Sequence, residues 1–154
     1  AVCKVCWLSL AAAVMVVAGM TYKFIVQGAV EQGVDGRLAI QLDDHERQLV
    51  LSEMRAFLES VQQITHGISA NDMKLVATSA SSVGLASQQA VPGSLIGKLP
   101  LSFKKLGRDT HAKFDELALD AGQFGDSGHS LSQLGKLMQN CVACHAAYRF
   151  ETAN

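Results

Sequence analysis

The N-terminal stretch from Val5 to Val26 constrains this chain most, because Lys23 is its only charged residue. Trp7 stands near one end of the stretch, and Tyr22 stands near the other. A helix needs about 20 consecutive apolar residues to cross the hydrocarbon core of a bilayer, and aromatic and basic residues favour its edges. We therefore expect residues 1–28 to form a transmembrane signal anchor.

A cleaved secretory signal peptide is the alternative interpretation of this stretch. Lys4 would then be its charged region, and Val16–Val17–Ala18 would be a small-residue cleavage site. We expect an uncleaved anchor, because Phe24–Val26 lengthen the apolar run and the long side chain of Lys23 can reach the membrane surface.

The composition of the chain favours helices. Its 154 residues include only two prolines and 6% aromatic residues, which gives little support to a β-sandwich or barrel. Thirteen basic and 14 acidic residues give a net charge of −1. A nucleic-acid binder would show a basic excess, so we expect no nucleic-acid partner.

Residues 29–40 contain Gly33 and Gly36 among mixed charges, and we interpret them as a linker. Residues 41–154 then show apolar side chains at spacings of three and four in four successive stretches. Gly67 is predicted to end the first of these helices. The pattern predicts an all-α protein, an antiparallel four-helix bundle preceded by one transmembrane helix.

The last helical stretch carries the run NCVACHAAYRF, residues 140–150, and Ser130 with Gln133 resembles a capping box at its start. C-x-x-C-H is the attachment signature of c-type haem. Cys141 and Cys144 lie on the same side of a helical turn, where each thiol could add to one haem vinyl group, and His145 is then directed at the iron. We predict one covalently attached haem c on this C-terminal helix.

Two other kinds of site use cysteines at this spacing. A zinc site needs four nitrogen or sulfur ligands, and the only other pair, Cys3/Cys6, lies in the predicted membrane segment. We interpret that pair as small apolar residues, because Trp7 follows where a haem site would need histidine. A thioredoxin-like redox pair needs a βαβ context that this helical pattern lacks. Four further histidines are weaker candidates for an iron ligand: His45, His66, His111 and His129.

C-x-x-C-H-x-x-Y-R at the end of a four-helix pattern resembles the cytochrome c′ family, which includes the cytochromes c-556. The resemblance covers roughly residues 41–150. It implies that Cys141 and Cys144 form the thioethers and that His145 is the proximal iron ligand. It also implies that Arg149 lies near the haem edge, where it could pair with a propionate.

The same resemblance implies that a residue on the first helix covers the opposite face of the iron. Aligning Arg47–Gln48 with the family pattern places Leu51 there, and we count Arg47 among the candidate cofactor-binding residues. Leucine has no lone pair, so the iron would be five-coordinate. If the register shifts by three residues, the thioether of Met54 could ligate the iron instead. Phe57 and Leu58 would complete an apolar lid.

These expectations lead to two functions. Haem attachment outside the bacterial cytoplasm, which the resemblance implies, would place the haem domain on the periplasmic side of the inner membrane. We expect an electron-transfer or accessory subunit of a larger membrane redox complex, with no enzymatic activity, because no nucleophile set or phosphate loop is apparent. The alternative is a protein that binds NO or CO for sensing, storage or detoxification, which the Leu51 alignment favours.

Overall fold

The computed structural model describes residues 4–153, which are mostly helical, as the sequence predicts. Six helices and three short strands occur in the described part of the chain. The helices are α1 (Lys4–Thr21), α2 (Asp44–Ser69), α3 (Met73–Ser81), α4 (Gly93–Lys98), α5 (Leu101–Phe124) and α6 (Ser127–Ala147). The strands are β1 (Val30–Gln32), β2 (Leu38–Leu42) and β3 (Tyr148–Thr152).

Helix α1 continues through a π-helical turn at Tyr22–Gln27, and every residue from 4 to 27 is exposed. This continuous helix of 24 residues contains an 18-residue window of mean hydropathy 1.9. It is therefore long and apolar enough to cross a membrane, as predicted for the N-terminal segment.

Most of the segment predicted as a linker, residues 29–40, belongs to a β-hairpin in the structure. Strands β1 and β2 pair antiparallel, with Val30 opposite Ile40. The turn contains Asp35 and Gly36, and Gly36 has φ +85°. An Asp-Gly pair is a strong signal for a tight hairpin turn, because glycine adopts positive φ without a steric penalty.

Helix α6 ends at Ala147, although the sequence pattern predicts a last helical stretch that carries the whole motif run, residues 140–150. The chain then extends into β3, which pairs parallel to β2 with Tyr148 opposite Leu38. The rings of Tyr148 and Phe150 both pack edge-on against Phe103, with centroids 5.4 and 5.7 Å away. Strand pairing and aromatic contacts with distant residues favour the extended conformation at this point.

Helix α2 begins with a capping box, in which the Glu46 amide donates to Asp43 Oδ1 (2.9 Å) and the Asp43 amide donates to Glu46 Oε2 (3.3 Å). The predicted end at Gly67 is wrong, since the helix continues to Ser69. A Cβ on Gly67 would lie 2.8 Å from Val76 Cγ2. Gly67 is buried because α2 and α3 approach each other closely there.

The predicted capping box at Ser130 is also wrong. Asp126 caps α6, accepting a hydrogen bond from the His129 amide (2.9 Å), and Ser130 is buried within the helix. Among the longer helices, α3 packs against α2 and α5, whereas α6 packs mainly against α5 and less extensively against α2. The seam between α2 and α6 is thus a less extensive contact than those of α3 with α2, of α3 with α5 and of α5 with α6.

Two clusters of buried apolar side chains hold these elements together. The helical cluster contains Ile64, Val76, Ala80, Val83, Phe114, Leu117, Ala121, Leu134 and Leu137. The sheet cluster lies between the hairpin and the helices and contains Ile40, Leu42, Val50, Leu95, Leu99 and Phe103. Burial of these side chains is the main favourable contribution to folding of the domain.

The end of the apolar helix is attached to the domain by specific contacts. Gly28 has φ +69°, and a Cβ there would lie 2.4 Å from the Lys98 carbonyl oxygen. The Ala29 amide donates to the same oxygen (2.7 Å), and Lys104 Nζ donates to the Ile25 carbonyl (3.1 Å). The hairpin and α4 therefore hold the helix end directly against the domain.

Candidate functional site

The C-x-x-C-H motif occupies the last two turns of α6. Both cysteines are half-buried on the inner side of the helix, following the buried residues Leu134 and Leu137 at helical spacing. Cys141 packs against the helical cluster, and Cys144 packs against the sheet cluster. The two thiols therefore lie where the two halves of the core meet.

The environment of the thiols keeps them protonated. Burial raises the pKa of the Cys141 thiol above its ordinary value. Burial, with a smaller contribution from the neighbouring Cys141, raises the pKa of Cys144 to about 11. Reactive cysteines that act as nucleophiles have lowered pKa values, so this environment does not favour thiolate chemistry.

His145 is exposed on an outer flank of α6. Met138 and Val142 precede it by seven and three residues, so they share this flank. Their side chains are 44% and 69% exposed, so this flank presents apolar surface to solvent. The opposite flank is in contact with α5, since Asn140 Nδ2 donates to Asp109 Oδ2 (2.7 Å).

Helix α2 presents a matching flank formed by Arg47, Leu51, Met54 and Leu58, which are three or four residues apart. Leu51 and Met54 are half-buried, and Leu58 is 70% exposed. The other side of α2 contacts α3, where Ser60 Oγ donates to the Ser79 carbonyl (2.8 Å).

The flanks of α2 and α6 therefore border the same seam. Each lies on the side away from a contact that is already made, with α3 for α2 and with α5 for α6. Helical spacing thus puts the predicted proximal residue, His145, and the two predicted distal candidates, Leu51 and Met54, on the flanks that border this seam. Large apolar side chains line both flanks, as they do in sites that bind apolar ligands.

Met54 and Leu51 differ in their packing. Met54 packs against the sheet cluster, as Cys144 does, and Leu51 is half-buried outside both described clusters. Phe57 stacks on Phe114 with ring centroids 5.4 Å apart, so it belongs to the helical cluster. Of the two predicted lid residues, only Leu58 lies on the seam.

Arg47 lies at the N-terminal end of the α2 flank, and one of its polar atoms lacks a hydrogen-bond partner within residues 4–153. Its Nε is buried and has no hydrogen-bond partner among the described residues. A buried donor without a partner is costly, and a guanidinium is well suited to bind a carboxylate through two hydrogen bonds. Arg47 is therefore suited to an anionic group placed at this seam.

Arg149 lies on β3 and is already paired. Its Nη1 is 3.4 Å from Asp35 Oδ2, and its Nη2 is 3.0 Å from Glu151 Oε1. Helix α6 ends before this residue, so Arg149 is not on the same helix as His145. Two carboxylates balance its charge, so Arg149 is a weaker partner for an anion than Arg47.

Arg37 also belongs to this site, although no local sequence pattern predicts it. Its Nη1 donates to the main-chain carbonyl of His145 (3.2 Å). The two residues are 108 positions apart, and only the pairing of β2 with β3 brings them together. The Asp35–Gly36 turn signal could have predicted the hairpin, although not its contact with the motif.

The remaining histidines lie elsewhere. His111 is buried, with Nδ1 2.7 Å from the Val83 carbonyl oxygen and Nε2 3.3 Å from Glu53 Oε1. His129 Nε2 is 2.9 Å from Asp120 Oδ2. His45 and His66 are exposed near the two ends of α2.

Between residues 4 and 153, no group of three or more His, Cys, Asp and Glu side chains is arranged to hold a metal ion. Cys6 is exposed on α1, and Cys3 lies outside the described residues. Two open hollows, of about 540 and 520 Å³, lie beside the end of the apolar helix and in the groove between α5 and α6. Ala143, which lies between the two cysteines, lines the second hollow, but Cys141, Cys144 and His145 line neither.

Comparison with models of known protein families finds no match, and neither a curated protein nor a solved structure matches the chain. The chemistry of the site therefore has to be inferred from its own residues.

Proposed function

We propose that the chain is a membrane-anchored c-type cytochrome with one covalently attached haem, and that α2, α3, α5 and α6 form the antiparallel four-helix bundle that encloses it. Cys141 and Cys144 would hold the haem through thioethers, and His145 would be its proximal ligand. The bound group would supply a one-electron iron couple. The main support is the C-x-x-C-H spacing at the end of α6, together with the packing of Cys144 and Met54 against the same buried cluster.

The residues at the seam fit a haem. The exposed flank formed by Leu58, Met138 and Val142 provides apolar surface that a porphyrin would cover. Arg47 provides a buried guanidinium Nε in need of an anionic partner, which matches a haem propionate. Each thiol could add S–H across one haem vinyl double bond, with sulfur bonded to one carbon and hydrogen to the other.

The function that we favour is electron transfer, or an accessory role, within a larger redox complex of the bacterial inner membrane, with the haem domain on the periplasmic side. The apolar helix supports this proposal, because an anchor raises the effective concentration of a protein near membrane partners. The contacts of Gly28, Ala29 and Lys104 support it further, since a domain attached directly to its anchor keeps one orientation on the bilayer.

The alternative is a five-coordinate haem that binds NO or CO. Leu51 favours it, because this half-buried side chain lies on the seam and cannot ligate iron. Met54 favours electron transfer, because its thioether could be a sixth ligand and it packs against the same cluster as Cys144.

Intact-mass analysis of the full chain, purified in mild detergent, tests the haem. We expect the added mass of one haem, and we expect Cys141→Ala with Cys144→Ala to abolish it. The matched control changes the other C-x-x-C pair, Cys3→Ala with Cys6→Ala, and should retain the haem. A wild-type protein without this added mass would overturn the proposal.

The absorption spectrum of the reduced protein separates the two functions. A sharp low-spin α-band that disappears in Met54→Leu would indicate a Met54 ligand and support electron transfer. A broad high-spin spectrum that changes when CO is added, and that Met54→Leu leaves unaltered, would support gas binding. Co-purification with other haem or iron–sulfur subunits in mild detergent would support the complex, and a free monomer or homodimer would contradict it.

A further inference from the structure

We propose that Arg37 is a positioning residue for His145 and that Asp35 holds Arg37 in place for this task. The proposal rests on the proposed function, because it gives the β-hairpin a role in controlling the iron ligand. It assigns this role to the turn between β1 and β2, whose Asp35 also pairs with Arg149.

The contacts of Arg37 place its charge at the C-terminal end of α6. Its Nη1 donates to the His145 carbonyl (3.2 Å) and, at 3.5 Å, to the Tyr148 carbonyl. Carbonyl groups in the last turn of a helix have no helical N–H partner and carry partial negative charge. The guanidinium therefore satisfies the carbonyl of the proposed ligand itself and fixes the main chain from which the imidazole extends.

Asp35 orients the guanidinium. Its Oδ2 accepts from Arg37 Nη2 (2.6 Å) and from Nε (2.9 Å), and its Oδ1 accepts from the Arg37 amide (3.2 Å). The hydrogen bonds from Arg37 lower the pKa of Asp35 to about 2, against a small opposing effect of burial. The carboxylate therefore remains charged at any pH at which the protein would work.

The strands on either side make this arrangement rigid. Leu38, next to Arg37, is paired with Tyr148, and the Gly33 amide donates to the Arg37 carbonyl (2.8 Å). Both ends of the contact are thus fixed by main-chain hydrogen bonds. An iron ligand needs its position controlled within a fraction of an ångström, and partners outside the ligand set commonly provide that control.

Because Arg37 and Asp35 have opposite charges, we expect their removal to shift the reduction potential of the haem in opposite directions. Arg37→Gln removes a positive charge near the proximal ligand, which disfavours the reduced iron and lowers the reduction potential. Asp35→Asn leaves the positive charge of Arg37 uncompensated, so it should raise the reduction potential. A general loosening of the domain would shift both variants in the same direction.

The experiment measures the reduction potential of the full-length, haem-loaded protein in mild detergent. The iron–histidine stretching vibration is recorded for the reduced protein in a Met54→Leu background, in which Met54 cannot be a sixth ligand. We expect a lower potential and a shifted vibration in Arg37→Gln, a higher potential in Asp35→Asn, and values equal to wild type in the control Arg108→Gln, an exposed arginine of α5. Arg37→Lys keeps the charge but not the paired contacts, so it should restore the potential and leave the vibration shifted.

If Arg37→Gln does not fold, the iron–histidine vibration of Arg37→Lys tests the positioning role instead. Variants of Arg37 and Asp35 that match Arg108→Gln in both measurements would overturn the positioning role while leaving the haem protein intact. A wild-type chain without covalent haem would overturn the proposed function and this inference together, so the two failures are distinguishable.

Discussion

Glu53 Oε1 lies 3.3 Å from His111 Nε2, and this contact joins α2 to α5 inside the domain. Only 1% of the histidine side chain is exposed, and its ring packs on Phe57 with centroids 4.8 Å apart. The other ring nitrogen is 2.7 Å from the Val83 carbonyl oxygen. One imidazole therefore connects α2, α5 and the segment that follows α3.

This contact predicts a dependence of stability on pH. Burial opposes charge on His111, but the hydrogen bonds to Glu53 and Val83 outweigh it and raise the pKa above its ordinary value of 6.5. A raised folded-state pKa means that the stabilisation is complete below about pH 6.5 and is lost as the pH rises through the folded value. The temperature of unfolding should therefore fall as the pH rises above about 6.5.

Glu53→Gln should remove most of this dependence and cost about 1.5–3 kcal/mol at pH 6, the usual contribution of a hydrogen bond to a charged group. The control is Glu59→Gln, an exposed residue of the same helix. Thermal unfolding in mild detergent at several pH values measures both effects. An equally steep pH dependence in both variants would contradict the role of Glu53.

Gly67→Ala should destabilise the crossing of α2 and α3. The added methyl would lie 2.8 Å from Val76 Cγ2 and 3.0 Å from the Asp72 carbonyl oxygen, so one helix has to shift. Overpacking of this kind costs about 1–3 kcal/mol. Denaturant unfolding should show this loss.

Gly107→Ala is the matched control, because no atom lies within 4 Å of a Cβ at this position on α5. Replacing a helical glycine by alanine in open space stabilises a helix by up to about 1 kcal/mol. The two alanine variants should thus change stability in opposite directions, and a neutral Gly67→Ala would contradict the close helix contact.

Gly28→Ala should detach the end of the apolar helix from the domain. Gly28 and Gly36 both have positive φ, so alanine is strained at either position by about 1 kcal/mol. A Cβ at Gly28 would also lie 2.4 Å from the Lys98 carbonyl oxygen, whereas a Cβ at Gly36 contacts nothing within 4 Å. Limited proteolysis in mild detergent should cleave near residue 28 faster in Gly28→Ala than in Gly36→Ala.

The cysteines of the motif should react slowly in the folded, haem-free protein. Burial and the neighbouring thiol raise the pKa of Cys144 to about 11 from an ordinary value of 9.0. The thiolate fraction at pH 7.5, and with it the alkylation rate, should therefore be about 100-fold lower than in the chain unfolded by urea. Peptide mapping after timed iodoacetamide treatment measures these rates.

The same protonated, packed thiols lead us to expect that haem attachment precedes folding of α6. A refolded haem-free chain incubated with reduced haem should then remain without covalent haem. Equal alkylation of folded and unfolded Cys144 would contradict both expectations.

The sequence determined the features that depend on neighbouring residues. Local patterns account for the apolar run of α1, the period of the helices and the cap of α3 by Asp72. They also account for the spacing of Cys141, Cys144 and His145. Local patterns predict a helix end at Gly67 and a helix cap at Ser130. Both predictions are wrong, because tertiary packing buries these residues within their helices.

The surroundings of the C-x-x-C-H motif depend on the tertiary structure. The parallel pairing of β2 with β3 joins residues more than 100 positions apart, and it brings Arg37 to His145 and Asp35 to Arg149. The partnerless Nε of Arg47 likewise depends on which helices cover it. Local propensity acts over a few residues, whereas these contacts depend on how distant segments share one core and satisfy their polar groups, which no short window of sequence contains.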